Sequence, residues 1–121
     1  MDTKRERGDR GEAIAEAYLR NLGWRIVARN VLYRVGELDV IAEDDDHLVF
    51  VEVRSRSGSS GPPPSQTVTF PKQRRLTRAA NLFLARYRGP HRDARFDVIG
   101  VDLRQQRILT HIRGAFDAAA Y

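Results

Sequence analysis

Two apolar runs separated by a short acidic turn constrain this chain more than any other feature. Gly36-Glu37-Leu38-Asp39-Val40-Ile41-Ala42 and Leu48-Val49-Phe50-Val51-Glu52-Val53-Arg54 are rich in Val, Ile and Leu, and Asp44-Asp45-Asp46 lies between them. Short apolar runs bounded by turn residues predict strands, and a brief turn between them predicts an antiparallel hairpin. Side chains on a strand alternate faces. Glu37 and Asp39 are therefore expected on one face of the first strand, and Glu52 and Arg54 on one face of the second. The hairpin would gather carboxylates beside a cation on strands that otherwise demand burial. Charges are expensive to bury in such a setting, and a metal ion is a natural reason to put them there.

The rest of the chain supplies elements to pack against this hairpin. Residues 1–8 are polar and expected to fray. A helix is expected over residues 9–22, with Asp9 as N-cap, an apolar stripe of Ala15, Tyr18, Leu19 and Leu22, and Gly23 as the residue that ends it. Residues 24–32 alternate as a strand, with Trp24, Ile26, Ala28 and Asn30 opposed to Arg25, Val27, Arg29 and Val31. Residues 55–67, with Gly, Ser and three consecutive Pro, predict an irregular mobile loop. It leaves the strand that carries Glu52, and is either a functional flap or a tolerated insertion. Pro71 suits the first turn of a second helix that runs to about Tyr87, with Leu76, Ala79, Ala80, Phe83 and Leu84 on its apolar side and Gly89-Pro90 as its stop. Residues 96–103 form an apolar strand, paired with residues 107–112 across Arg104-Gln105-Gln106. The order α-β-β-β-α-β-β predicts an α/β fold, a mixed sheet flanked by helices.

Composition narrows the class. A chain of 121 residues is one domain. The absence of Cys excludes disulfides and thiolate metal sites. No apolar run approaches the length of a membrane span, and the charged N-terminus lacks a signal-like apolar segment, so a soluble cytoplasmic protein is expected. Charge is unevenly placed: residues 37–52 hold seven acids and no Lys or Arg, whereas residues 53–95 hold ten Lys or Arg and one acid. A basic segment beside an acidic one suits a surface that grips a polyanion and holds a divalent cation.

Several side chains are candidates for chemistry. Asp39 and Glu52 are the strongest pair, because Mg²⁺ (or Mn²⁺) takes one or two protein carboxylates and keeps positions for phosphate and water. Arg54 either stabilises charge on a phosphoryl group or forms an ion pair with Glu52 or Glu37. Glu12 either reaches the metal site or is a first-turn acid favoured by the helix dipole. Lys72 stands out because only two of the 21 basic residues are Lys; it is either an ammonium required at the site or a chance choice. Arg56, Lys72, Arg74, Arg75 and Arg78 are candidate nucleic-acid contacts. His47, His91 and His111 show no ligand spacing and are assigned to surface or core.

These residues also carry a family resemblance. Gly8-x2-Gly11-Glu12-x2-Ala15-x2-Tyr18-Leu19-x3-Gly23-Trp24, the two strand segments, Lys72-Gln73-x-Arg75-Leu76, Arg95-Phe96-Asp97-Val98 and His111-Ile112-x2-Ala115-Phe116 together resemble the YraN family of small bacterial proteins. That family is similar to restriction-endonuclease-like nucleases with a PD-(D/E)xK site, and especially to archaeal Holliday-junction resolvases. The resemblance implies a central mixed sheet of four or five strands, metal ligands at Asp39, Glu52 and the Val53 carbonyl, and an additional helix acid at Glu12. It places Arg54 where the motif has Lys, and it implies a homodimer. The expected function is a metal-dependent nuclease that hydrolyses phosphodiester bonds in DNA, with branched or structured DNA as a candidate substrate. The alternatives are a non-catalytic nucleic-acid-binding protein on the same fold and an interaction subunit of a DNA-processing complex.

Overall fold

A computed structural model describes residues 3–58, 60–90 and 93–117. Its elements are α1 (Lys4–Asn21), β1 (Arg25–Tyr33), β2 (Gly36–Glu43), β3 (His47–Arg56), a short 3-10 turn (Pro64–Thr67), α2 (Phe70–Arg86), β4 (Asp93–Asp102) and β5 (Arg107–Phe116). The strands form one five-stranded sheet in the order β1-β2-β3-β4-β5. Only the β3–β4 pair is parallel, and α2 is the crossover between those two strands. This is the α/β order, a mixed sheet flanked by helices, that the sequence predicts. No helix among the described residues is long and apolar enough to cross a membrane.

Each face of the sheet has its own core. Ala15 and Leu19 of α1 pack with Val40, Ala42, Val49, Val51, Ile99 and Val101 on one face. Leu76, Ala79 and Ala80 of α2 pack with Leu38, Ile41, Leu48, Phe50, Phe96 and Val98 on the other. Burial of such side chains stabilises by roughly 1.5–3 kcal/mol each. With both faces covered, the middle strands have little room for charge, and the acids that remain there need a specific partner.

Several boundaries differ from the sequence expectation. α1 begins at Lys4, not near Asp9, because Thr3 and Glu6 form a capping box. Residues 3–8 are thus ordered, while residues 1–2 lie outside the described set, as does His91. Gly23 does end α1, in the left-handed conformation at φ 89°, but Leu22 is exposed and not part of the stripe. In β1 the register shifts between Ile26 and Ala28. The simple alternation therefore fails: Ile26 packs on the α1 side, and Val27, Ala28 and Val31 on the α2 side.

The segment expected to be an irregular mobile loop is instead tied down. β3 runs to Arg56, whose guanidinium donates to the carbonyls of Ser60 (2.8 Å) and Pro62 (2.9 Å). The Gly58 N–H donates to Asp102 (2.9 Å). Pro64 is buried against Gly100, where a Cβ would approach Pro64 Cγ to 2.4 Å.

Candidate active site

The site forms where β2 and β3 part. Their ladder ends at the pair Val40–Val51. Beyond it the Val53 N–H has no partner in β2, and the Asp39 carboxylate accepts it at 3.0 Å. The N–H and C=O of one residue in a strand face the same edge, so the Val53 carbonyl also faces the gap. The strand pattern is broken here too. Leu38 packs on the α2 side and Val40 on the α1 side, although strict alternation would put them on one face. Asn30, which stands opposite Asp39 between the pairs Arg29–Val40 and Val31–Leu38, has φ 50°, a conformation uncommon outside Gly.

Glu52 is buried at 4 % exposure, and Asp39 lies within hydrogen-bonding reach of it. Burial first, and the charge on Glu52 second, push the Asp39 carboxyl well above the ordinary carboxylate range. Two cations face Glu52: Lys72 Nζ at 2.9 Å and Arg54 Nη1 at 3.4 Å, both on Oε2. Arg54 is held in turn by Thr67, whose hydroxyl accepts from Arg54 Nε (2.9 Å) and donates to the Pro64 carbonyl (2.6 Å). The tied-down loop therefore orients Arg54.

Glu12 of α1 borders the same cleft as Asp39 and Glu52. Its pKa rises to about 7, chiefly through burial, with Glu37, Asp9 and Glu16 adding like charge, while the Asn30 carboxamide opposes the shift. The cleft has a volume of about 400 Å³ and is also lined by Lys4, Arg7, Gly8, Val53, Arg54, Ser55 and Lys72. Glu37 and Asn30 line a neighbouring cleft that shares Glu12 and Asp39.

The donor set suits a hard divalent cation. Two carboxyl groups in hydrogen-bonding reach repel when both are charged, and a cation beside them relieves that repulsion. Among the described residues no three His, Asp or Glu side chains form a ready-made cage. Mg²⁺ does not require one, since it is commonly held by one or two carboxylates with water and substrate oxygen completing its shell. Asp39, Glu52 and the Val53 carbonyl would hold it.

The family model described as "Uncharacterised protein family UPF0102" matches residues 11–101. The chain belongs to the UPF0102 family. It is 48% identical over 116 residues to a UPF0102 protein of Myxococcus xanthus, a match covering 95% of this chain and 92% of that one. It is 48% identical over 95 residues to a UPF0102 protein of Symbiobacterium thermophilum, covering 78% and 80%. The YraN resemblance seen in the motifs denotes this same family. Among solved structures, the chain is similar to an XisH family protein from Nostoc punctiforme, with TM-score 0.46, 18% identity, and 86% and 99% of the two chains covered. A fdxN element excision controlling factor protein from Anabaena variabilis gives TM-score 0.45 at 20% identity, covering 86% and 98%.

In this UPF0102 protein, Asp39, Glu52, Val53, Arg54, Lys72 and Glu12 come together at one cleft. Arg74, Arg75 and Arg78 are exposed on α2, outside that cleft. Arg56 is spent on loop carbonyls, which sets it apart from the surface cations with which it was grouped. Sequence reasoning missed Lys4 and Arg7, because residues 1–8 were assigned to a frayed end; the spacing Thr3-x2-Glu6 was the available signal. It also missed Asn30, whose left-handed backbone leaves no mark in the residue pattern.

Proposed function

We propose that this UPF0102 protein is a metal-dependent nuclease that hydrolyses phosphodiester bonds in DNA, with branched or structured DNA as its substrate class. The observation that carries this reading is the half-buried Asp39 beside the buried Glu52 where β2 and β3 part, with Lys72 and Arg54 on Glu52. A bound Mg²⁺ or Mn²⁺ supplies polarisation of the phosphoryl oxygen and a lowered pKa for an attacking water. The chain's own residues do the rest. Asp39 and Glu52 would hold that cation at the parted strands. Lys72 and Arg54 place positive charge where the transition state gains negative charge. A guanidinium does not give up its proton in proteins, so of these two cations only Lys72 can exchange one. Arg74, Arg75 and Arg78 extend positive charge along α2 and supply phosphate contacts to the flanking duplex.

A second reading is a nucleic-acid-binding module without catalysis. It is favoured by one observation, the Arg at position 54 where the resemblance implies Lys. Incubation of labelled single strand, duplex, flap and four-way junction with Mg²⁺, Mn²⁺ or EDTA separates the two. Metal-dependent cutting that Asp39→Ala abolishes supports the nuclease. Salt-sensitive binding with no cutting under any metal supports the binding module.

A further inference from the structure

Of the residues in the first two turns of α1 that are locally unfavourable for a helix, three, Lys4, Arg7 and Gly8, border the cleft. Lys4 occupies the first helical position and Arg7 follows three residues later. The dipole at a helix N-terminus favours acids there and disfavours cations. Gly8 stands inside the helix, where only Pro is less favourable. Packing does not demand it: a Cβ at Gly8 would meet nothing within 4 Å, whereas a Cβ at Gly11 would run into Ser55. The same helix start carries a complete capping box, so it is otherwise built to be stable. Lys4 and Arg7 join Arg54 and Lys72 in lining one cleft, and Gly8 lines both this cleft and its neighbour. Glu52 answers Arg54 and Lys72 inside this cleft, and Lys4 and Arg7 bring further positive charge to its lining. Local rules broken together at one place mark a functional surface.

We infer that the first two turns of α1 form a second substrate wall. Lys4 and Arg7 hold phosphates of a bound nucleic-acid strand across the cleft from Arg54 and Lys72, and the missing side chain at Gly8 leaves room for that strand beside Glu12. This rests on the nuclease reading only in taking the ligand to be a nucleic acid.

The test uses the opposite signs expected for stability and binding. Lys4→Glu and Gly8→Leu are made in the Asp39→Asn background, where cutting does not compete with binding. Affinity for a labelled single-stranded oligonucleotide is followed by anisotropy over a salt series, beside thermal unfolding. Lys4→Glu is expected to raise Tm, to weaken binding about tenfold, and to lower the slope of log K against log salt by about one. Gly8→Leu is expected to weaken binding comparably without lowering Tm, because leucine is the better helix former. Unchanged affinity in both variants overturns the second wall and leaves the nuclease reading untouched, since that reading stands on wild-type cutting. Absence of binding by the parent overturns the wall and the nucleic-acid reading together. Should Gly8→Leu unfold the protein, Lys4→Glu decides alone.

Discussion

Lys72 Nζ lies 2.9 Å from Glu52 Oε2, so a residue of the first turn of α2 meets the acid of β3 inside the cleft. The chain has an ammonium at this point even though it uses Arg almost everywhere else. Lys72→Met should lower kcat for DNA cutting by about 10²–10³, the scale for loss of one preorganised charge-stabilising group, with little change in Kd for DNA. Lys72→Arg should leave binding unchanged and recover only part of kcat, because the guanidinium cannot exchange a proton. A single-turnover assay paired with anisotropy checks both; equal losses in kcat and affinity would reduce Lys72 to a phosphate contact.

Asp39 costs stability in the metal-free protein. Its folded pKa lies above the unfolded value of about 4, so the folded state binds the proton more tightly. Stability is therefore full below pH about 4 and falls as pH rises through neutrality towards the raised pKa. Asp39→Asn should remove its own share of this fall and leave the share of Glu12, whose pKa is also raised. With EDTA at pH 8 its Tm should exceed that of the wild type by about 5 °C, the shift for roughly 1 kcal/mol in a domain of this size. Cutting should be lost, and Mn²⁺ should no longer raise Tm. A wild-type Tm that does not decline between pH 5 and 8 would contradict the raised pKa of Asp39.

Gly11 lets α1 settle on β3 beside the site. A Cβ there would stand 1.8 Å from Ser55 Oγ and 3.0 Å from Ser55 Cβ. Gly11→Ala should destabilise by about 1–3 kcal/mol through overpacking, despite alanine's better helix propensity. It should also cost activity, since Glu12 is the next residue. Urea unfolding measures the first effect. A second-site Ser55→Gly should restore most of it.

Asp97 stands on β4 in register with Val51 of β3 and holds β4 and β5 together. Its side chain is fully buried and accepts from Arg95 Nε (2.8 Å), the Gly114 N–H (3.1 Å) and His111 Nε2 (2.8 Å), while the Tyr18 hydroxyl stands 2.9 Å from His111 Nδ1. The His111 and Arg95 contacts hold the Asp97 carboxyl below the usual range against the cost of burial. Its contribution is present above the unfolded pKa of about 4 and is lost as pH falls through the lowered folded value. Asp97→Ala should cost about 3–5 kcal/mol by leaving buried partners without an acceptor. Asp97 is not among the candidate ligands, so metal binding at the Asp39–Glu52 pair should survive in whatever fraction stays folded, as Mn²⁺ titration would register.

Some of this organisation was legible in the residues. Short apolar runs bounded by turn residues located β2, β3 and β4, the stripe of Leu76, Ala79 and Ala80 located α2, and the element order gave the fold. The acids Asp39 and Glu52 were conspicuous because they interrupt strands that are otherwise apolar. These are local signals: side-chain periodicity and turn chemistry depend on neighbours in sequence. Lys72 was conspicuous by rarity, but rarity carries no direction, and only the packing of α2 across the β3–β4 crossover brings it to Glu52. The register shift in β1, the left-handed Asn30 and the parting of the strands at Asp39 depend on how two strands meet, which neither strand encodes alone. The loop after Arg56 looked irregular because Gly, Ser and Pro have no period, yet Arg56, Asp102 and Gly100 pin it from distant positions. The sequence by itself determined the elements, their order and the identity of the acids. Tertiary structure decided which cations face those acids, because ion pairs and shared protons arise from separations of a few ångströms between residues far apart in the chain.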